Sequence, residues 1–117
     1  MKPSSAKAKG RRLQNLVVEV LLKHFSGKLE EGDIRPAIMG ESGEDIKRSP
    51  LAKRLLPYSF ECKNQEKLNI WNALEQAESN CPNGDIPTLV FKRNRSDTYV
   101  ALKFEDFLKL LGKRDDS

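Results

Sequence analysis

Histidine occurs once in these 117 residues, cysteine twice, and aromatic side chains make up only 7% of the chain. The lone His24 falls near the end of an expected helix, where a capping or surface role suits it, so a Ser/His or Cys/His nucleophile pair has no base to draw on. Cys62 and Cys81 stand without metal-ligand spacing, and Cys62 reads as a small hydrophobe, which fits a reduced cytoplasmic compartment. No apolar run reaches membrane-spanning length, and the Lys/Ser/Ala-rich N-terminus lacks the apolar stretch of a signal peptide, so no membrane partner is expected. No internal repeat is visible. Hydrolytic chemistry, if present, has to come from carboxylates and lysine.

Charge is what the chain does have. There are 21 Lys and Arg against 17 Asp and Glu, a formal net charge of +4. Lys2, Lys7, Lys9, Arg11 and Arg12 stand in the first twelve positions with no acid among them. Lys47, Arg48, Lys53 and Arg54 form a second basic cluster, and Lys92, Arg93 and Arg95 a third. Each cluster singly is the ordinary composition of a solvated face. Together they offer the sequence-independent phosphate affinity of a nucleic-acid protein, with Lys7, Lys9, Arg11, Arg12, Lys47, Arg48, Arg93 and Arg95 as candidate DNA contacts.

Periodicity predicts one domain, residues 10–112, between a flexible basic tail (1–9) and a short C-terminal tail (113–117). Leu13, Leu16, Val17, Val20 and Leu21 recur at helical spacing up to about Phe25, and Gly27 stops that helix. A strand is expected over Asp33–Met39, confined to an edge by Pro36, then a flexible turn Gly40-Glu41-Ser42-Gly43 and a strand from Asp45 to Lys47. Ser49 before Pro50 marks a capped helical turn reaching Leu56. Tyr58–Lys63 reads as the central strand. Asn69–Ser79 reads as a helix with an apolar stripe of Ile70, Trp71, Leu74 and Ala77. Two strands, Thr88–Lys92 and Thr98–Leu102, and a helix Phe104–Leu111 ended by Gly112 complete the chain. The fold class expected is α/β, a mixed sheet with helices packed over it.

The chemistry concentrates at Tyr58-Ser59-Phe60-Glu61-Cys62-Lys63. Alternate side chains of a strand share a face, so Glu61 and Lys63 point one way while Phe60 and Cys62 turn to a core. With a second carboxylate from Asp45, an acid and an amine on a rigid strand can make a divalent-metal phosphodiesterase site. The carboxylates offer hard oxygen ligands for Mg²⁺, and the lysine orients or helps deprotonate the attacking water. Spacing alone is equally met by a surface Glu–Lys pair, and Asp45-Ile46-Lys47 fits it too. Glu44, on the opposite strand face from Asp45, is expected to tolerate Glu44→Gln.

From Lys9 to Leu111 the chain resembles the PD-(D/E)XK nuclease superfamily, and within it looks like the small Holliday junction resolvases of archaeal type and their bacteriophage relatives. The resemblance rests on a helix opening at Gly10, the turn and strand Met39-Gly40-Glu41-Ser42-Gly43-Glu44-Asp45-Ile46, the triplet Glu61-Cys62-Lys63, and the following helix with Glu75-Gln76 inside it. It implies a restriction-endonuclease-like core, with Asp45 and Glu61 as metal ligands, the backbone carbonyl of Cys62 completing the protein's share, and Lys63 as the catalytic lysine. It also implies Ser42 near the scissile phosphate and Gln76 as a polar residue near the site. Where such a family carries a first-helix glutamate this chain has Gln14, with Glu19 the nearest acid; one of these two is the candidate for that slot. The implied activity is Mg²⁺-dependent resolution of four-way junctions by paired nicks, with Mn²⁺ able to substitute, branched double-stranded DNA as substrate and a homodimer as the working form. A nicking, flap or repair endonuclease of the same fold, and a non-catalytic DNA-binding module, are the alternatives.

Overall fold

The computed structural model describes residues 3–112. Helix α1 (Pro3–His24) is followed by a 3₁₀ turn (Glu31–Asp33), strands β1 (Ile34–Pro36) and β2 (Ile46–Arg48), helix α2 (Pro50–Leu55), strand β3 (Tyr58–Asn64), helix α3 (Ile70–Ser79), strands β4 (Ile86–Lys92) and β5 (Tyr99–Ala101), and helix α4 (Phe104–Gly112). The mixed α/β architecture expected from the sequence is the one present.

β3 and β4 run parallel and are joined through α3, while β5 returns antiparallel to β4. This is a βαβ unit, the connection that parallel neighbours require. β1 and β2 form a separate antiparallel ribbon. It is stitched to the outer edge of β3 where Asp45 N–H donates to Phe60 O at 3.0 Å. β3 therefore lies between the ribbon and β4. Its burial runs continuously through Ser59, Phe60, Glu61 and Cys62, as a strand covered on both faces must. α1 packs against β1 and β3, and Leu13 and Val17 join Phe60, Cys62, Ile34, Ile46 and Val90 in the apolar core. α3 packs over β3 and β4 and buries Ala73 and Ala77, two residues small enough to bring the helix close to the sheet.

Local signals explain most boundaries. Ser49 Oγ accepts from Ala52 N–H at 3.1 Å, with Pro50 at the first helical position. Asn69 caps α3 in the same way, accepting from Asn72 N–H at 3.1 Å. β1 ends at Pro36, on the free edge of its ribbon.

Three expectations need correction. Residues 3–9, read as a tail, continue α1 as helix; residues 1–2 and the C-terminal tail 113–117 lie outside the described residues. Trp71 is 78% exposed, because the buried stripe of α3 is carried by the alanines and not by its largest side chain. Leu16 and Val20 on α1 and Phe104 and Phe107 on α4 are likewise exposed, so the apolar faces of both helices are only partly covered. Among the described residues no helix is long and apolar enough to cross a membrane.

Candidate active site

The candidate residues meet at the edge of β3. Asp45 lies just before β2, and the ribbon's attachment to Phe60 O carries its side chain to the next inward position of β3. There its Oδ2 accepts from Cys62 N–H at 2.7 Å, across seventeen residues of sequence. A strand residue turns its N–H and C=O to the same edge, so the Cys62 carbonyl also faces this side and not β4. Glu61 and Lys63 share the opposite face from Phe60 and Cys62, as alternation predicts. The Glu61 carboxylate is 3% exposed and its Oε2 lies 3.8 Å from Lys63 Nζ. Its other oxygen, Oε1, accepts from the Asn80 side chain at 3.2 Å.

Electrostatics sets these groups apart. Burial pushes the Asp45 carboxyl above its ordinary value, more than the Cys62 N–H and the Lys63 and Lys47 charges pull it down. Burial also raises Glu61, and the nearby Asp45 charge raises it further, against the pull of Asn80 and Lys63. Two carboxyls whose ionisation burial opposes, more strongly than the nearby lysines favour it, form a site that positive charge would stabilise. Hard oxygens in that state suit a divalent cation. Among the described residues no group of three or more His, Cys, Asp or Glu side chains could hold a metal. The protein's share would thus be Asp45, Glu61 and the Cys62 carbonyl, and the remaining positions would fall to water and substrate.

These groups line an open cleft of ≈ 360 Å³. One face of α1 forms its wall: Lys7, Arg11 and Gln14, at helical spacing, all line it. Gln76 of α3 faces it from the other side. Gln14 thus lines the cleft, while Glu19 is exposed and outside the lining. Lys63 is the cation nearest the carboxylates, with its side chain 21% exposed.

Several basic candidates do other work. Lys9 is buried on α1, with Nζ 3.6 Å from Glu66 Oε2, and cannot meet a phosphate from there. Arg48 has no exposed side-chain surface at all. It donates to Glu44 Oε2 at 2.8 Å, to Asp85 Oδ2 and to Leu56 O at 2.6 Å. Arg48 is thus a buried clamp, and Glu44, 6% exposed, is one of its jaws and not a free surface acid. Ser42 is exposed and outside the cleft lining, and its carbonyl accepts from Lys47 Nζ at 2.6 Å. Arg12, Arg93 and Arg95 are exposed. Arg93 and Arg95 lie in the turn after β4, at the same end of the sheet as Lys63, because Lys63 pairs with Phe91 and Asn64 with Lys92.

Two features were not anticipated from sequence. Asn80, the C-cap of α3, reaches Glu61 only because the parallel crossover brings the helix end beside β3. The turn after β1 carries an ion pair: Arg35 donates through both terminal nitrogens to Glu41, at 2.9 Å each, and Glu41 is drawn down to about 2 chiefly by that contact. An arginine six positions before a glutamate was the only available signal.

A family model described as "Phage putative PDDEXK endonuclease" matches residues 7–116 of this chain. No curated protein and no solved structure matches it. The chain belongs to this phage PD-(D/E)XK endonuclease family.

Proposed function

We propose that this family member is a Mg²⁺-dependent endonuclease that resolves four-way DNA junctions by paired nicks. One observation carries the nuclease reading. Asp45, Glu61 and Lys63, drawn from two separate strand regions, converge on one open cleft that Lys7 and Arg11 flank with positive charge. The basic flank supplies backbone affinity without base reading, which agrees with selection by DNA shape.

In the proposed reaction a phosphodiester enters the cleft with its backbone along α1, against Lys7 and Arg11. Asp45 and Glu61, with the Cys62 carbonyl, would hold a divalent cation, Mg²⁺ or Mn²⁺, whose bound form supplies Lewis-acid stabilisation of charge on the phosphoryl oxygens. Asn80 holds Glu61 Oε1 and so turns Oε2 toward the cleft and Lys63. Lys63 orients the attacking water and offsets the negative charge that builds as the bond to the leaving oxygen breaks. Ser42 is left out of this set because its side chain lies outside the cleft lining.

Junction resolution needs two cuts, and a symmetric pair of chains would supply them. The exposed Val100, Phe104, Phe107 and Leu111 on β5 and α4 support a second copy of this chain as their cover. The deciding experiment is cleavage of a labelled four-way junction beside a linear duplex of the same arms, with Mg²⁺ or EDTA, for wild type and Glu61→Gln. The expected result is symmetric nicks on the junction, with the linear duplex cut far more slowly, and both activities lost with EDTA and in the variant. Equal cutting of both DNAs would replace the junction assignment by a nicking, flap or repair nuclease. Binding without metal-dependent cutting would make the chain a DNA-binding module.

A further inference from the structure

The loop between β1 and β2 presents two large apolar side chains to water at the mouth of the cleft. Ile38 is 65% exposed and Met39 76%, and both line the same cleft as Asp45, Glu61 and Lys63. Exposed aliphatics scattered singly need no account, but two in succession beside an acidic centre do.

The loop is built to keep them there. Ile38 N–H donates to Glu41 Oε1 at 2.9 Å, and Ile38 O accepts from Glu41 N–H at 3.0 Å, so the tip is closed on itself. Arg35 grips the same Glu41 carboxylate from β1. Gly40 sits at φ 85, a left-handed conformation that lets the chain reverse just after Met39. At the base of the loop Ala37 N–H donates to Asp45 O at 2.7 Å, which joins the apolar tip to the catalytic carboxylate through one short rigid segment. In this arrangement the tip's hydrogen bonds leave both side chains turned to water.

We infer that Ile38 and Met39 form a wedge that enters an opened base step of the DNA beside the scissile phosphate, so that the substrate is chosen by how readily that step unstacks. This rests on the reading of the cleft as a DNA site. Branched aliphatic and thioether side chains are the kind that proteins insert between bases, because an apolar face replaces the stacking surface that a neighbouring base gives up. The surroundings favour DNA over a protein partner. Lys7 and Arg11 on the same cleft complement a phosphate backbone, and a protein surface covering the tip would also have to cover Asp45 and Glu61. Branch points, mismatches and pyrimidine–purine steps, whose stacking is already weak, are the substrates such a wedge selects.

The test uses the full chain and two duplexes of one sequence, one fully paired and one mismatched at a step carrying 2-aminopurine. Binding is read by fluorescence with Ca²⁺ in place of Mg²⁺, and cleavage is read separately with Mg²⁺. Wild type should raise the fluorescence of the paired duplex, and the double variant Ile38→Ser/Met39→Ser should abolish that rise. The variant should lose about 10- to 100-fold in cutting the paired duplex but less than about 3-fold on the mismatched one, because the mismatch has already met the cost of unstacking. Ile38→Leu/Met39→Leu should behave as wild type. Equal losses on both duplexes, no fluorescence rise with wild type, or a change of oligomeric state with fluorescence intact would each overturn the wedge. A wild type that cuts neither duplex or junction yet gives a rise that the serine variant removes would support the wedge and overturn the nuclease reading instead.

Discussion

Two buried charge clusters stand on either side of one peptide bond. Glu44 turns into a closed cluster, in which the Arg48 guanidinium is enclosed by Glu44, Asp85 and the Leu56 carbonyl. Asp45 turns into an open one, in which burial raises both carboxyls and Asp45 raises Glu61 further, Lys63 stands 3.8 Å from Glu61 and a cleft lies in front. In the first cluster both carboxylates hydrogen-bond to one guanidinium, and little of it reaches solvent. In the second the lysine stands beyond hydrogen-bond distance of Glu61, and the carboxyls line an open cleft. Burial of charge is common to both. An unmet charge with access to water is the property that separates chemistry from scaffolding.

The comparison breaks most visibly in catalysis. Lys63→Ala should lower Mg²⁺-dependent cleavage by about 10³-fold or more while DNA affinity, measured by a mobility shift with Ca²⁺, stays within a few-fold, because the role proposed for the group is on charge that develops only in the transition state. A Lys63→Ala protein that cuts at the wild-type rate would remove the open cluster from the reaction.

The closed cluster should answer in stability. Arg48→Met leaves two buried carboxylates without their cation and should cost about 3–5 kcal/mol in urea unfolding. Glu44→Gln keeps Asp85 and the Leu56 carbonyl on the guanidinium and should cost less, about 1–3 kcal/mol. The tolerance expected of Glu44→Gln from sequence is one of cleavage, so this variant should still cut while losing stability. An Arg48→Met protein as stable as wild type would mean that the clamp holds nothing.

The smallest effect is in pH dependence, and its sign is opposite to that of an ordinary ion pair. Asp45 and Glu61 have folded values raised above 3.8 and 4.5, so they bind protons more tightly in the folded chain. Their contribution favours the fold at low pH and is lost as pH rises through the raised values. In EDTA, Asp45→Asn/Glu61→Gln should therefore melt at or above the wild-type temperature at pH 7, and the gap should close toward pH 4. Added Mg²⁺ should raise the melting temperature of wild type alone. A double variant less stable than wild type at pH 7 in EDTA would show that the two carboxyls are satisfied without a cation.

Much of the fold was legible because its signals are local. Ser49-Pro50 announces α2, Gly27 ends the first helix region, and Tyr58–Lys63 carries the residue types of a half-buried strand. The errors arose where burial depends on partners far along the chain. Trp71 reads as core on any helical wheel, yet the sheet beneath α3 leaves room only for Ala73 and Ala77. Arg48 reads as a phosphate contact in a basic cluster, yet Asp85, thirty-seven residues on, makes it a buried clamp. Asn80 carries no motif at all; only the parallel crossover brings it to Glu61.

The sequence by itself determined the α/β class, the identity of Asp45, Glu61 and Lys63 as candidates, and the exclusion of histidine- and cysteine-based nucleophile chemistry, because residue type and strand alternation are local properties of the chain. Tertiary structure alone decided which charges face a cleft and which are closed off, that Gln14 and not Glu19 lines the site, and that Ile38 and Met39 stand beside it. Solvation and Coulomb energy depend on distances between segments remote in sequence, and those distances exist only once the chain has folded.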